Sequence, residues 1–304
     1  MEFLHLLENI RTPFGDGFFS VLTFLLGEAA VIVLFAINFW CADKNLAYDI
    51  GFVFFGSSTI IQTVKITMRV PRPFALDPSL KPVESALKGA TGYSFPSGHT
   101  QAATSAFTPC AFTYRKRWWL SAICFVLIAL TAFSRLYLGV HTPKDVLFGF
   151  LIAFVCAAAV AVLRVKFKDK WIIPGAIVLI ALSIGAIIYG IVLRNMLDTH
   201  VITNIFLADT IKNSAAGLGF AIGVILERRF VNFNPAKITL KQGVIRALVG
   251  VAIGLLLMYG PKLFASGILI VDGLRYFVAI MWIVFIYPMI IKKHSEKKKA
   301  KAKS

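Results

Sequence analysis

An all-helical bundle that spans a membrane is the fold class this sequence predicts, on three observations. Of its 304 residues, 58% are hydrophobic and only 15% are charged, where a soluble domain is about a quarter charged. The apolar residues come in unbroken runs of roughly 20, the length a helix needs to cross a bilayer. The runs do not alternate with polar residues, which excludes the strand pattern of a membrane β-barrel.

The formal net charge of +17 raises the possibility of a nucleic-acid partner. The Lys and Arg residues, however, sit in short clusters between apolar runs and in the tail, as in cytoplasmic loops of membrane proteins. No nucleic acid is expected as a partner; the bilayer is. The four cysteines, Cys41, Cys110, Cys124 and Cys156, lie in or beside apolar runs without CxxC spacing. They read as small buried thiols.

Taken in order, residues 1–17 form an interfacial segment, with Leu4, Leu7, Ile10 and Phe14 at helical spacing. Its mixed charges lack the basic start of a cleaved signal peptide. Pro13 and the glycines at 15 and 17 punctuate it. Nine spans follow, at about 18–40, 46–67, 99–114, 118–138, 143–163, 171–193, 210–226, 243–260 and 272–291. The third begins with polar residues, so that face looks inward. The connection over 68–98 holds five prolines, and a loop of that length in a compact domain is usually functional.

With the N-terminus outside, 20 of the 32 Lys and Arg residues fall in inside loops or the tail, so the C-terminus is expected inside. The chain divides into the segment 1–17, a catalytic core over 18–193, additional helices over 194–291 and a basic tail over 292–304, expected to be disordered and to meet anionic headgroups. Ala215, Gly219, Gly223, Gly250 and Gly254 are small residues at four-residue spacing, which lets helices approach closely in lipid. Asp198, His200, Asp209 and Lys212 form a polar connection before them.

Three polar clusters interrupt this apolar chain, and all three land at outside helix ends. Ionisable groups there are costly and point to function. In the first, Lys65, Arg69 and Arg72 are spaced for one helical face, with Pro71 and Pro73 as the stop. Any one of them reads equally as a snorkelling cation; together they suit an anion clamp. In the second, Pro96-Ser97-Gly98-His99, Ser97 can cap the third span, Gly98 permits close approach, and the helix start favours an anion. The ordinary reading is a serine cap with a backbone-satisfied histidine. No GxSxG elbow makes Ser97 a nucleophile. In the third, Arg135 ends the fourth span, and His141 and Asp145 flank Thr142-Pro143, a cap and first-turn pair. Asp145 can fix the tautomer of His141, leaving its other nitrogen as base or nucleophile; it can equally serve the helix dipole alone.

Two histidines and one aspartate could ligate zinc, but the cations beside them would repel it and no HExxH occurs. No metal and no cofactor are expected. His5, His200 and His294 have no evident partners and read as surface residues. Jointly the clusters suit metal-free phosphoryl transfer. Cations and backbone amides hold three phosphoryl oxygens, a neutral histidine attacks in line, and a protonated one supplies the leaving group's proton.

These residues resemble the three-part signature of the type 2 phosphatidic acid phosphatase superfamily, K-x6-R-P, P-S-G-H and S-R-x5-H-x3-D. Here the blocks are Lys65…Arg72-Pro73, Pro96-Ser97-Gly98-His99 and Ser134-Arg135…His141…Asp145, with every spacing kept. The resemblance covers residues 18–163. It implies a six-helix core, followed here by about three extra C-terminal spans, and an integral membrane phosphatase without metal. It implies His141 as the nucleophile that becomes phosphohistidine, Asp145 as its orienting partner and His99 as the general acid. Lys65, Arg72, Ser97, Gly98 and Arg135 become phosphate ligands, with Arg69 as an accessory. Soluble haloperoxidases share the signature but lack such spans. The first block is similar to that of sphingosine-phosphate phosphatases and bacterial relatives, and the span plan to glucose-6-phosphatases.

The expected activity is hydrolysis of a membrane lipid phosphate monoester on the extracytoplasmic face. A polyprenyl (undecaprenyl) diphosphate phosphatase is the alternative enzyme, and a non-catalytic protein that binds or transports lipid phosphates is the alternative of another class. The expected location is a bacterial cytoplasmic membrane, or else the endoplasmic reticulum.

Overall fold

A computed structural model describes residues 1–87, 89–196, 204–235, 238–265 and 267–301. Asp198, His200, Lys237 and the last three tail residues lie outside the described residues, as do the side chains of 297–301. Among those described there is no strand; every regular element is a helix.

The N-terminal helix α1 (Glu2–Asn9) buries Leu4 and Leu7, as its spacing predicts. The next helix, α2 (Pro13–Leu25), starts inside the expected interfacial segment. Thr12 caps it by accepting from the Gly15 amide at 3.1 Å, and Pro13 takes the first position, where a missing N–H costs nothing. Pro13 therefore opens a helix rather than interrupting one. At Leu26–Gly27 the chain bends by 41° before α3 (Glu28–Cys41), so the first expected span is broken.

The hub is α4 (Lys44–Met68), begun by the Asp43 cap at 2.9 and 3.1 Å from the Asn45 and Leu46 amides. It is apolar on nearly every face, as a helix surrounded by others must be. It packs against α3, α7 (Gly98–Thr113), α9 (Pro143–Phe167), α10 (Ile172–Met196) and α11 (Asn204–Leu226). Phe55 and Phe220 stack at 5.0 Å, with Phe35 edge-on to both. The polar start of α7 does face inward: the Gln101 amide donates to Ser57 Oγ at 2.7 Å and to Ser105 Oγ at 3.1 Å. At the far end of α4, buried Glu227 accepts from Lys44 Nζ at 2.8 Å and from the Tyr48 hydroxyl at 2.5 Å.

Between α4 and α7, short helices α5 (Pro73–Leu76) and α6 (Glu84–Leu87) fold the long connection into a cap. It is pinned from both sides. Val83 N donates to Leu138 O at 3.1 Å, and Lys81 N to Glu8 Oε1 at 3.1 Å. His5, expected to lack a partner, lies 2.9 Å from Asp77 Oδ2 and 3.1 Å from Glu8. Hydrogen bonds from Ser79 and His5 lower the Asp77 carboxyl to about 2, and Asp77 in turn raises the His5 imidazole above its ordinary value. His294 is exposed, as expected.

The remaining helices are α8 (Trp118–Tyr137), α12 (Leu240–Tyr259), α13 (Leu269–Met281) and α14 (Tyr287–Lys301), the last two joined by a π-helical turn over Trp282–Ile286. The small residues of α11 serve close packing: a Cβ on Gly219 would meet Phe277 O at 2.5 Å. The tail continues α14 as helix to Lys301 instead of being disordered; Lys, Ala and Glu are good helix formers. The four cysteines are free thiols.

Among the described residues, five helical stretches are long and apolar enough to cross a bilayer, or six with the bent α2–α3 pair as one span; one of them, 143–196, holds both α9 and α10. The 16-residue α7 and the largely enclosed α11 are not among them. The protein is a multi-pass integral membrane bundle.

Candidate active site

The three clusters converge at one end of the bundle. Helix α4 stops at Met68 because Arg69 turns left-handed, with φ 51°. The helical face expected to carry Lys65, Arg69 and Arg72 therefore ends before Arg72, and Arg69 does not line the cavity described below. Lys65 and Arg72 do line it. Lys65 Nζ donates to Tyr93 O at 2.7 Å. Arg72, extended between its two prolines, donates to Gly92 O at 3.2 Å, Thr91 O at 2.7 Å and Val140 O at 3.1 Å. One guanidinium thus fixes both loops of the site.

His141 precedes α9 and is 2% exposed. Its Nε2 lies 2.9 Å from Arg72 Nη1. A guanidinium has no acceptor, so it donates and Nε2 carries the lone pair. The other nitrogen, Nδ1, lies 3.5 Å from Asp145 Oδ2 and 3.4 Å from Ser94 Oγ. Asp145 Oδ2 also accepts from Ser94 Oγ at 2.6 Å and from the Thr142 amide at 2.7 Å. Thr142 accepts from the Asp145 amide in return, so the carboxylate is held by a capping box. Burial, with Arg72, Arg135 and Lys65 nearby, keeps the His141 imidazole neutral well below its ordinary range.

Ser97 caps α7, accepting from the Thr100 hydroxyl at 3.1 Å, and its own amide donates to Asp145 O at 2.9 Å. Its side chain is fully buried and, like that of Arg135, is not among those lining the cavity described below. Gly98 and His99 are on the wall. Helix α9 reaches this turn through Gly149, where an added Cβ would lie 2.5 Å from Ser97 O. That contact brings the second and third clusters together.

Arg135 is 1% exposed and donates to Thr23 Oγ1 at 3.0 Å. Its Nε and Nη2 are buried without a hydrogen-bond partner. Two unsatisfied donors on a buried cation are costly, and an anion is what would satisfy them.

Lys65, Arg72, Gly98, His99 and His141 surround the polar end of a cavity of about 510 Å³. Three other residues of the site escaped the motif reading. Ser94 bridges to Asp145 but stands outside the signature. Glu28 and Asp209 line the cavity from α3 and α11, and Glu28 Oε1 lies 3.3 Å from where a Cβ on Gly98 would be. An acid at the middle of an apolar run was the available signal for Glu28. Among the described residues, no group of three or more His, Cys, Asp or Glu is placed to hold a metal ion.

Comparison with known proteins accords with this geometry. Residues 46–169 match the model of the PAP2 superfamily, and residues 211–299 match that of the PAP2 superfamily phosphatase transmembrane extension. The chain is 26% identical over 209 residues to a probable sphingosine-1-phosphate phosphatase of Dictyostelium discoideum, covering 64% of this chain and 48% of that one. It is 37% identical over 62 residues to an undecaprenyl-diphosphatase of Sulfolobus acidocaldarius, covering 20% of this chain and 29% of that one. It is 32% identical over 160 residues to a putative undecaprenyl-diphosphatase of Escherichia coli, covering 50% and 77%. The chain thus spans about half the length of the Dictyostelium relative and less of the Sulfolobus one. Among solved structures, a transmembrane PAP2 type phosphatidylglycerolphosphate phosphatase from Bacillus subtilis is similar with a TM-score of 0.46 and 22% identity, over 56% of this chain and 86% of that one.

Proposed function

This chain belongs to the PAP2 superfamily, and we propose that it is a metal-independent phosphatase of membrane lipid phosphate monoesters, working through a phosphohistidine. The observation that carries this is the state of His141. Its Nε2 lone pair faces the cationic end of the cavity, and its Nδ1 is turned to Asp145 and Ser94.

In the proposed reaction, Lys65, Arg72 and Arg135 bind the phosphoryl oxygens and stabilise the five-coordinate charge, the main term in such chemistry. Arg72 shifts from Nε2 to a phosphoryl oxygen. Nε2 then attacks phosphorus in line, the bond from phosphorus to the lipid oxygen breaks, and His99 gives that oxygen its proton. The lipid alcohol leaves. Water next attacks the phosphohistidine, giving its proton back to His99; the P–N bond breaks and inorganic phosphate is released. Asp145 holds the ring and offsets the charge that develops on it.

The unit carrying this chemistry is residues 18–193, with 194–291 as added helices. The positive-inside bias of the loops supports a site on the extracytoplasmic face and a C-terminus inside. The undecaprenyl-diphosphatase relatives support a second reading, in which the ester is a polyprenyl diphosphate. Phosphate release from phosphatidate, sphingoid phosphate, phosphatidylglycerophosphate and undecaprenyl diphosphate, side by side in mixed micelles, separates the two. His141→Ala should abolish release while retaining phosphate binding. Turnover that survives His141→Ala would sink the nucleophile assignment. Binding without turnover of any ester by the unaltered protein would favour a carrier.

A further inference from the structure

The cavity does not stop at the phosphate-binding groups. It follows α3 inward along one stripe, past Ile32 and Ala36 to Trp40. From Glu28 to Trp40 that is about 18 Å at 1.5 Å per residue. The opposite wall comes from the C-terminal helices, with Gly254 and Met258 on α12 and Tyr276 and Ile280 on α13. One end is polar, with Lys65, Arg72 and Lys212 beside Glu28 and Asp209, and the deep end is apolar, which is the polarity of an amphiphile.

The packing of α12 explains why the space exists. At its deep end Gly250 allows contact with Trp40 and Tyr287, both closer than a Cβ would tolerate. One turn up, a Cβ on Gly254 would meet nothing nearer than Trp282 Cδ1 at 3.7 Å. The helix is pressed to the bundle at the bottom and stands off above it. At the bottom Trp40 lines the cavity beside Gly250 and Ile283, and two further rings back it from behind. Trp40 packs edge-on to Tyr287 at 4.9 Å, and Trp282 stacks on Tyr287 at 5.0 Å. Their polar atoms are spent on backbone: Trp40 Nε1 donates to Ile283 O at 2.8 Å, Trp282 Nε1 to Gly250 O at 3.0 Å and the Tyr287 hydroxyl to Arg246 O at 2.8 Å. The deep end therefore offers a hydrocarbon tip the Trp40 ring with Val251 and Ile283 beside it.

We propose that α12 and α13, with α3, form a closed-ended sleeve that takes the hydrocarbon tail of the substrate, and that the floor at Trp40, backed by Tyr287 and Trp282, sets how long a tail fits. The C-terminal extension is then a specificity device for the site it covers. The inference rests on reading that site as a lipid phosphatase.

Hydrolysis of hexyl, dodecyl and hexadecyl phosphate by the full chain in detergent tests it. For the unaltered protein, kcat/KM should rise with tail length. Gly254→Leu fills the sleeve from its open wall; it should lower kcat/KM for hexadecyl phosphate about tenfold, the loss of roughly two buried methylenes, and leave hexyl phosphate within about twofold. Val251→Phe, one turn deeper on the same wall, should act in the same direction, and Leu248→Phe on the exposed side of α12 should not. Equal losses for all three esters, or none with either sleeve variant, would overturn the proposal. A readout independent of turnover is the melting temperature with non-hydrolysable alkylphosphonates. Hexadecylphosphonate should raise it more than hexylphosphonate does, and Gly254→Leu should erase the difference; identical shifts for both tails in the unaltered protein would count against the sleeve. If no ester is hydrolysed, hexyl phosphate included, the phosphatase reading fails, and the melting shifts alone decide the sleeve.

Discussion

Arg72 Nη1 and His141 Nε2 lie 2.9 Å apart, so the nitrogen proposed to attack phosphorus is held by the cation proposed to bind phosphate. The arrangement keeps the imidazole in one tautomer and makes the lone pair available only when an anion draws the guanidinium away. Arg72→Lys keeps a charge but cannot span Gly92, Thr91 and Val140 together. It should lose about 10²-fold or more in kcat/KM, measured as phosphate release, and nitrogen NMR of His141 should show the loss of the fixed tautomer.

Asp145 and Ser94 act on the other side of the ring. Asp145→Asn should cost about 10²–10⁴-fold in kcat, because the wrong tautomer becomes available. Ser94→Ala removes a donor from a charged acceptor, worth about 1.5–3 kcal/mol, and should cost about tenfold or more. Both variants should retain their size in detergent. Full activity of Ser94→Ala would remove that residue from the site.

Arg135 makes the opposite trade. Its unsatisfied Nε and Nη2 weaken the empty protein. Replacing a buried, poorly paired charge by an apolar side chain is often stabilising. Arg135→Met should therefore raise the melting temperature, by about 1 kcal/mol of stability, while turnover is lost. Vanadate, as a mimic of five-coordinate phosphorus, should stabilise the unaltered protein and not this variant.

The pH dependence follows from His141. Its imidazole stays neutral below the ordinary value of 6.5, so the acid limb of kcat/KM for the free enzyme should lie below that pH. Burial, with Arg135, Arg72 and Lys65 nearby, pushes the His99 imidazole down as well, so the alkaline limb, proposed to report His99, should also be displaced to the acid side. For stability the sign is fixed too. Below pH 6.5 the unfolded chain binds a proton that the folded one refuses, so unfolding should become easier as pH falls through that range. Denaturation midpoints across pH check this, and the acid-side slope should shrink in His141→Ala.

Much of the site was legible because its parts sit at fixed local spacings. A cap and proline at Thr142-Pro143 place His141 and Asp145 one helical turn apart, whatever the tertiary fold. Residues joined only by tertiary contact were not legible. Ser94 reaches Asp145 across 51 positions, and nothing in its neighbours marks it. Arg69 shows the reverse failure. Its spacing from Lys65 fits a helical face, but a left-handed residue ends the helix first. Spans were read well where apolar runs are long. The bend at Leu26–Gly27 was missed because both halves are equally apolar and only the backbone records the break.

The aromatic floor has a further consequence, for transport. Trp40 closes the proposed sleeve, backed by Tyr287 and Trp282, and the polar atoms of all three are already committed to the backbone. Nothing there can hand a charged group onward. In the proposed reaction the ester enters, and alcohol and phosphate leave, through the same mouth, so turnover would change the lipid on one side without moving phosphate across the membrane.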